Sequence, residues 1–276
     1  MTERNTPPER NAPRPAGAAI EAAPEGAASI GNDSTIDFGF RAVPREEKAG
    51  LVRQVFDSVA PRYDLMNDLM SLGLHRAWKS AFVAAIGASR RETLLDLAGG
   101  TGDIAFRALE GGAGRVILSD INPSMLQVAQ GRALERGLAA GLTFLCTDAE
   151  HIPLPDRSVE KASIAFGLRN CTDKPAVLRE ARRVLRPGGR FHCLEFSRVE
   201  VAALAPLYDA WSFQVLPRLG ARIARDAESY QYLAESIRMF PDQESLAAMM
   251  REAGLERVAH RNLSGGIVAI HTGWRL

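Results

Sequence analysis

Lysine is scarce in this chain. It stands only at positions 48, 79, 161 and 174, so thirty of the 34 basic residues are arginine. Set against 33 acids they leave a net charge of +1, which excludes a bulk electrostatic grip on nucleic acid. Cysteine occurs three times, at 146, 171 and 193. That number and spacing exclude a disulfide framework and make no metal-ligand pattern. A reduced, cytoplasmic compartment is expected, with Cys146 and Cys193 as buried small hydrophobes inside apolar strands. No apolar run approaches the ~20 residues that cross a bilayer. Residues 1–33 contain almost no large apolar side chains and no secretory h-region, and Glu3, Glu9, Glu21 and Glu25 argue against a transit peptide. Their composition predicts a disordered tail over 1–40, followed by a single domain over 41–276.

The most informative stretch is Leu94-Leu95-Asp96-Leu97-Ala98-Gly99-Gly100-Thr101-Gly102-Asp103. An apolar strand ends in a small-residue loop, and Ile104 to Leu109 reads as a helix. Absent side chains at Gly99, Gly100 and Gly102 would let backbone approach a ligand, with loop N–H groups and the helix N-terminus facing a negative group. Arg115 to Ser119 reads as the next strand. It ends at Asp120, about 20 residues after the loop, where an acid binds a ribose diol. The plainer role for Asp120 is a helix cap before Asn122-Pro123.

Further strands are expected at Leu142–Cys146, Lys161–Phe166 and Phe191–Phe196, with a helix from Pro175 to Leu185 halted by Pro187-Gly188-Gly189. Alternating β and α segments predict an α/β fold with a parallel sheet and helices on both faces. Ligands then bind outside the carboxyl ends of the strands. Gly99, Asp120, Asp148 and Arg169 all fall there. Asp148 is placed to meet an adenine amino group, or else to cap a turn. Helices are expected over 46–87, as a cover, and over Ala203–Leu219 and Glu228–Phe240, as an insertion spanning 201–240. Aromatic residues make up 7% of the chain, yet Tyr208, Trp211, Phe213, Tyr230, Tyr232 and Phe240 crowd into that insertion. They either pack it onto the sheet or line an apolar surface for a greasy ligand. A helix over Asp242–Ala253 and a last antiparallel pair over 255–261 and 265–275 complete the chain.

The glycine loop alone permits a nicotinamide oxidoreductase. Short-chain enzymes of that class need Tyr-x-x-x-Lys, and none of the four tyrosines has Lys at that spacing. Nor does the segment after the fourth strand, Phe166-Gly167-Leu168-Arg169-Asn170, match the Asn/Asp-Pro-Pro-aromatic turn of base-methylating enzymes.

Asp96 to Gly102, Asp120, Asp148 and the Pro-Gly-Gly turn together resemble class I S-adenosylmethionine-dependent methyltransferases, with Ala98 where many members have glycine. Upstream, Phe56 to Asp64 and Leu65 to Trp78 are similar to the UbiE/COQ5 family of ubiquinone/menaquinone biosynthesis C-methyltransferases. Tyr63-Asp64-x-Met66-Asn67, Ser71, His75 and Trp78 carry the pattern, as do Phe166–Asn170 and Leu194-Glu195-Phe196-Ser197. Arg186 stands where members often have Lys, and Ala165 where some have a cofactor-contacting Ser.

The resemblance runs from about residue 50 to the C-terminus. It implies a Rossmann-like, mostly parallel seven-stranded sheet with an antiparallel last strand, and C-methylation of a polyprenylated quinol. The quinol is 2-polyprenyl-6-methoxy-1,4-benzoquinol, demethylmenaquinol, or both. S-adenosylmethionine would lie on Gly99, Gly100, Thr101 and Gly102, with its ribose on Asp120 and its adenine at Asp148 and Ala149. No metal is needed, because the cofactor is already activated.

On the substrate side the resemblance points first to Arg169 and Tyr63, with Asn170 beside them. Arg169 would steady a developing phenolate or order a water, or else form a structural ion pair with Asp173 or Glu195. His75 has a base's ordinary pKa, or is a structural histidine beside Trp78. His192, His260 and His271 read as structural. The expected protein is cytoplasmic, in peripheral contact with the inner membrane or a quinone-biosynthesis complex, with no nucleic-acid partner.

Overall fold

The strand Leu94–Leu97 carries leucines on both of its faces, and that decides the architecture. In the computed structural model Leu94 packs on one face of the sheet with Phe82, Phe106 and Leu118. Leu95 and Leu97 pack on the other with Ile164, Val177, Phe191 and Met250. Side chains at successive strand positions point to opposite faces, so both faces must be covered by helices. The structure describes residues 35–59, 68, 71, 73–201, 203–211, 215 and 227–276.

The strands are β3 (Thr93–Leu97), β4 (Arg115–Asp120), β5 (Leu142–Cys146), β6 (Val159–Ala165), β7 (Leu185–Phe196), β8 (Glu256–Leu263) and β9 (Val268–Trp274). They form one sheet in the order β5-β4-β3-β6-β7-β9-β8. Pairing is parallel from β5 through β7. The last strand, β9, runs antiparallel to both β7 and β8, as expected. Strand order reverses between β3 and β6, which opens a crevice at their carboxyl ends.

Helices α2 (His75–Ile86), α3 (Asp103–Glu110) and α4 (Pro123–Glu135) cover one face; α5 (Lys174–Val184) and α8 (Gln243–Glu252) cover the other. Their starts are chemically marked. The side chains of Asn122, Asp173 and Asp242 accept from Ser124 N, Ala176 N and Ser245 N, at 2.9, 2.8 and 2.8 Å. Each satisfies an N–H that the helix itself cannot. Asn122 is therefore the cap before Pro123, and Asp120 is released from that role.

Two expectations need correction. A hairpin of β1 (Thr35–Phe38) and β2 (Arg41–Pro44) precedes α1 (Arg45–Val59), so a tail boundary at 40 falls inside a folded element. The hairpin is anchored by Phe38, whose ring stacks on Tyr232 at 4.1 Å between centroids. Cys146 is exposed, whereas Cys193 is buried. The reason is position: β5 is the edge strand, while β7 is interior.

In the insertion, α6 (Ala205–Ala210) and α7 (Ala227–Arg238) are described; of the expected Ala203–Leu219 helix, residues 212–214, with Phe213, and 216–219 lie outside the described residues. Tyr230, Tyr232 and Phe240 are buried, so these three pack the insertion against the body. His192 and His271 are buried, and burial pushes their imidazoles down to about 3 and about 4.

Candidate active site

The carboxyl ends of β3, β4, β5 and β6, together with α1, enclose a cleft of about 110 Å³. Gly100, Asp120, Asp148, Ala149, Phe166 and Asn170 line it. Of the four positions that the sequence places at this edge, Asp120 and Asp148 line the cleft, and Gly99 and Arg169 do not.

The three glycines serve different needs. A Cβ on Gly99 would sit 2.1 Å from Leu118 Cδ1, and one on Gly102 would sit 2.6 Å from the Phe106 ring. Those two are glycines because the loop packs tightly on β4 and α3. Gly100, at φ +57°, would meet nothing within 4 Å, so its missing side chain leaves room in the cleft itself. The N–H groups are also occupied. Gly99 N donates to Ser119 O at 2.9 Å, Gly102 N to Gly99 O at 3.0 Å, and Gly100 N to Asp120 Oδ2 at 2.8 Å. The three glycine N–H groups are therefore spent on acceptors within the protein, one of them the Asp120 carboxylate, rather than turned to a ligand as expected.

Asp120 is 9% exposed. Its Oδ2 accepts from Gly100 N and its Oδ1 from Asn122 N, both at 2.8 Å. Burial raises its pKa, and these backbone bonds oppose the rise. A carboxylate oxygen accepts more than one hydrogen bond, so both oxygens keep capacity for a cis-diol while the backbone fixes their direction. Asp148 lies across the cleft, its Oδ1 accepting from Glu150 N at 2.9 Å, with Ala149 beside it.

Under the glycine loop a smaller cavity of about 30 Å³ is lined by Asp96, Gly99, Thr101, Asp103 and Lys79. Asp96 is fully buried and its Oδ1 accepts from Ser163 Oγ at 2.8 Å. Its Oδ2 has no hydrogen-bond partner among the described residues. Burial pushes this carboxyl up to about 7. Lys79 Nζ lies 2.8 Å from Asp103 Oδ2, and despite the cost of burial Lys79 and Arg107 hold that carboxyl down at about 2. Thr101 Oγ1 accepts from Arg132 at 2.9 Å. Sequence reasoning did not assign Asp96, Lys79 or Asp103 to the site. The available signal was an acid inside the apolar run Leu94–Leu97.

Of the described substrate-side residues, Asn170 lines the cleft and Arg169 and His75 do not. Arg169 is buried behind the cleft, its Nη1 2.9 Å from Glu195 Oε1 and also bonded to Phe166 O. Of the alternatives weighed from sequence, the Glu195 ion pair is the one present. Asn170 lines the cleft, and its Oδ1 accepts from Tyr232 Oη at 3.1 Å. His75 is not among the residues lining it. Its Nε2 donates to Asp68 Oδ1 at 2.8 Å, and burial, its largest influence, lowers its pKa. Tyr63 lies outside the described residues, as do Asp64 and Asn67. Phe166, at φ +55°, and Ala98, at φ +48°, both hold left-handed backbone at the cleft, the kind of strain that gathers at functional sites. Among the described residues no cluster of His, Cys, Asp and Glu could hold a metal ion, and no helix is long and apolar enough to cross a membrane.

Comparison with known proteins fits this geometry. A protein from Acidiphilium cryptum strain JF-5, called ubiquinone/menaquinone biosynthesis C-methyltransferase UbiE, is 65% identical over 245 residues, covering 89% of this chain and 98% of its own. A protein of the same name from Brucella canis is 54% identical over 243 residues, covering 87% and 90%. Among solved structures, a SAM-dependent methyltransferase from Thermotoga maritima, described as a possible histamine N-methyltransferase, aligns with a TM-score of 0.58 at 19% identity, covering 81% of this chain and 99% of that one. At that identity it speaks for the fold. Residues 41–275 match the profile described as the ubiE/COQ5 methyltransferase family, and the chain belongs to that family of methyltransferases.

Proposed function

We propose that this methyltransferase uses S-adenosylmethionine to methylate a ring carbon of a polyprenylated quinol, 2-polyprenyl-6-methoxy-1,4-benzoquinol or demethylmenaquinol or both, in ubiquinone/menaquinone biosynthesis. The observation that carries the reading is the 65% identity to a relative of that name across 98% of its length.

The residues present fit the cofactor. Gly100 leaves an open cradle where any side chain would intrude. Asp96 offers a buried carboxylate oxygen with no partner among the described residues, which suits the α-ammonium of a methionine moiety. Asp120 would hold the ribose, Asp148 and Ala149 would meet the adenine, and Thr101 would bond the methionine end. When bound, the cofactor supplies an electrophilic methyl group.

The chain's own contribution is to position, to exclude water and to manage a phenolic oxygen. Tyr232 fixes the Asn170 amide by donating to its oxygen. That leaves the Asn170 NH₂ to donate to a quinol oxygen, favouring the phenolate that activates the ring carbon. Arg169 supports this by holding the Leu168–Asn170 turn against Glu195; it acts as a positioning residue behind Asn170. Tyr63, which the family resemblance singles out, is proposed to contact the quinol. We place His75 outside the proton path, because its Nε2 bonds Asp68. A greasy substrate fits peripheral contact with the inner membrane.

The reading is tested by incubating the purified protein with methyl-labelled S-adenosylmethionine and each reduced quinol. Label on the ring carbon of either quinol supports it. Label on neither, from a protein that binds the cofactor, overturns it.

A further inference from the structure

A second cavity lies on the far side of the Asn170 wall. It is bounded by the β1–β2 hairpin, α1, the Leu168–Asn170 turn and α7, and has a volume of about 50 Å³. That is several times the roughly 10–15 Å³ a water requires. Its lining holds three cations, Lys48, Lys174 and Arg169, against one carboxylate, Asp37. Two of the chain's four lysines are therefore gathered here. Arg169 is already neutralised by Glu195. Lys48 is 2% exposed, and among the described residues its ammonium has one hydrogen bond, to the carbonyl of Cys171 at 3.3 Å. The Lys174 ammonium makes no hydrogen bond or ion pair among the described residues. Neither ammonium has a carboxylate within 4.0 Å.

Buried cations are costly unless paired, and here two face one another. The strain is visible in Lys48, whose pKa falls to about 8, first through burial and next through Lys174. Lys174 is lowered as well, chiefly by burial. Asp37, Glu150 and Cys171 pull the other way on Lys48 without restoring it. Asp37 is the one anion in the lining to offset Lys48 and Lys174, so positive charge is in excess there. Tyr232 and Ser236 also line the cavity, and Met239, 48% exposed, stands at its rim, so a small solute has a way in.

We propose that this cavity binds a small oxyanion of phosphate type between Lys48 and Lys174, separately from the cofactor cleft. The ligand class follows from the two ammonium groups, which suit a compact, multiply charged oxygen anion; the Tyr232 and Ser236 hydroxyls already donate to Asn170 Oδ1 and Leu233 O. Its wall is shared with the cleft, since Tyr232 lines this cavity and donates to Asn170, which lines the other. Occupancy would steady that hydrogen bond from behind.

The scarcity of lysine makes the test direct. The full-length protein is treated with an amine-acylating reagent at pH 8, in inorganic phosphate or in sodium chloride of equal ionic strength, and each lysine is followed by mass spectrometry. With phosphate at about ten times its dissociation constant, Lys174 should react about tenfold more slowly, while Lys79 and Lys161 are unchanged. Equal rates at Lys174 in both salts overturn the proposal. Calorimetry adds a second arm: Lys174→Gln should abolish phosphate binding and Lys174→Arg should retain it. Binding to the wild type that survives in Lys174→Gln places the anion elsewhere and also overturns the proposal. Vesicles of phosphatidylglycerol distinguish the source. Competition with phosphate assigns the site to a lipid headgroup and its absence to a free anion, and both outcomes keep the oxyanion site.

Discussion

Arg169 and Glu195 form an ion pair with 4% and 1% of their side-chain surface exposed, the guanidinium 2.9 Å from the carboxylate. Glu195 Oε1 also accepts from Phe196 N, and its Oε2 from Arg169 N. The pair thus ties the end of β7 to the turn that carries Asn170. Removing one partner leaves the other charged and buried. Arg169→Ala should lower stability by about 3–5 kcal/mol, measured by urea denaturation. Stability unchanged within about 0.5 kcal/mol would show that Glu195 finds another partner, and the positioning role would fall.

Asp96 gives a pH-dependent prediction. Its folded-state pKa, about 7, lies above the ordinary 3.8. A carboxyl raised in this way favours folding below its ordinary value, and loses that contribution as pH rises through 7. At pH 8 it is an unpaired buried charge in the cofactor-free protein. Asp96→Asn should therefore stabilise that protein by roughly 1–4 kcal/mol at pH 8, with the gain vanishing by about pH 4. Affinity for S-adenosylmethionine should fall in the same variant. Denaturation across this pH range, with calorimetry, checks both. Destabilisation at pH 8 would contradict the account.

How much of this was legible beforehand depended on whether the signal was local. The strand–loop–helix at Leu94–Leu109 and the acid at Asp120 were readable, because periodicity and short spacings report them directly. The hairpin was not. Its anchor, Phe38, finds Tyr232 almost two hundred residues away, and no local pattern records that stacking. Arg169 and Glu195 are likewise joined only by the pairing of β6 with β7. Gly99 and Gly102 looked ligand-driven in sequence, but their neighbours Leu118 and Phe106 explain them. The exposure of Cys146 required the strand order.

Ala98 holds φ +48°, a conformation that costs an L-residue about 1–2 kcal/mol. Ala98→Gly releases it, offset by roughly 0.4–1 kcal/mol of added unfolded-state entropy. Thermal and urea unfolding should show a net gain of up to about 1 kcal/mol. A comparable loss would mean that the methyl group's packing outweighs the backbone relief.

The cysteines should separate cleanly by reactivity. Burial, and after it Glu150, pushes the Cys171 thiol up to about 12. Burial also takes Cys193 well above its ordinary range, and Cys146 is exposed. Iodoacetamide at pH 8 should modify Cys146 first, with the other two at least about tenfold slower, because the thiolate is the reactive form. Equal labelling of Cys171, which is half-buried in the wall of the cleft, would contradict its raised pKa.

The central claim, that this chain methylates a quinol ring, is tested most directly by quinone profiling. A strain lacking the gene is analysed by mass spectrometry, then complemented with the wild-type chain or with Asp120→Ala. The account predicts that quinol precursors lacking one ring methyl accumulate in the deletion, disappear with the wild-type chain, and persist with Asp120→Ala. A deletion strain with an unchanged quinone profile would contradict it.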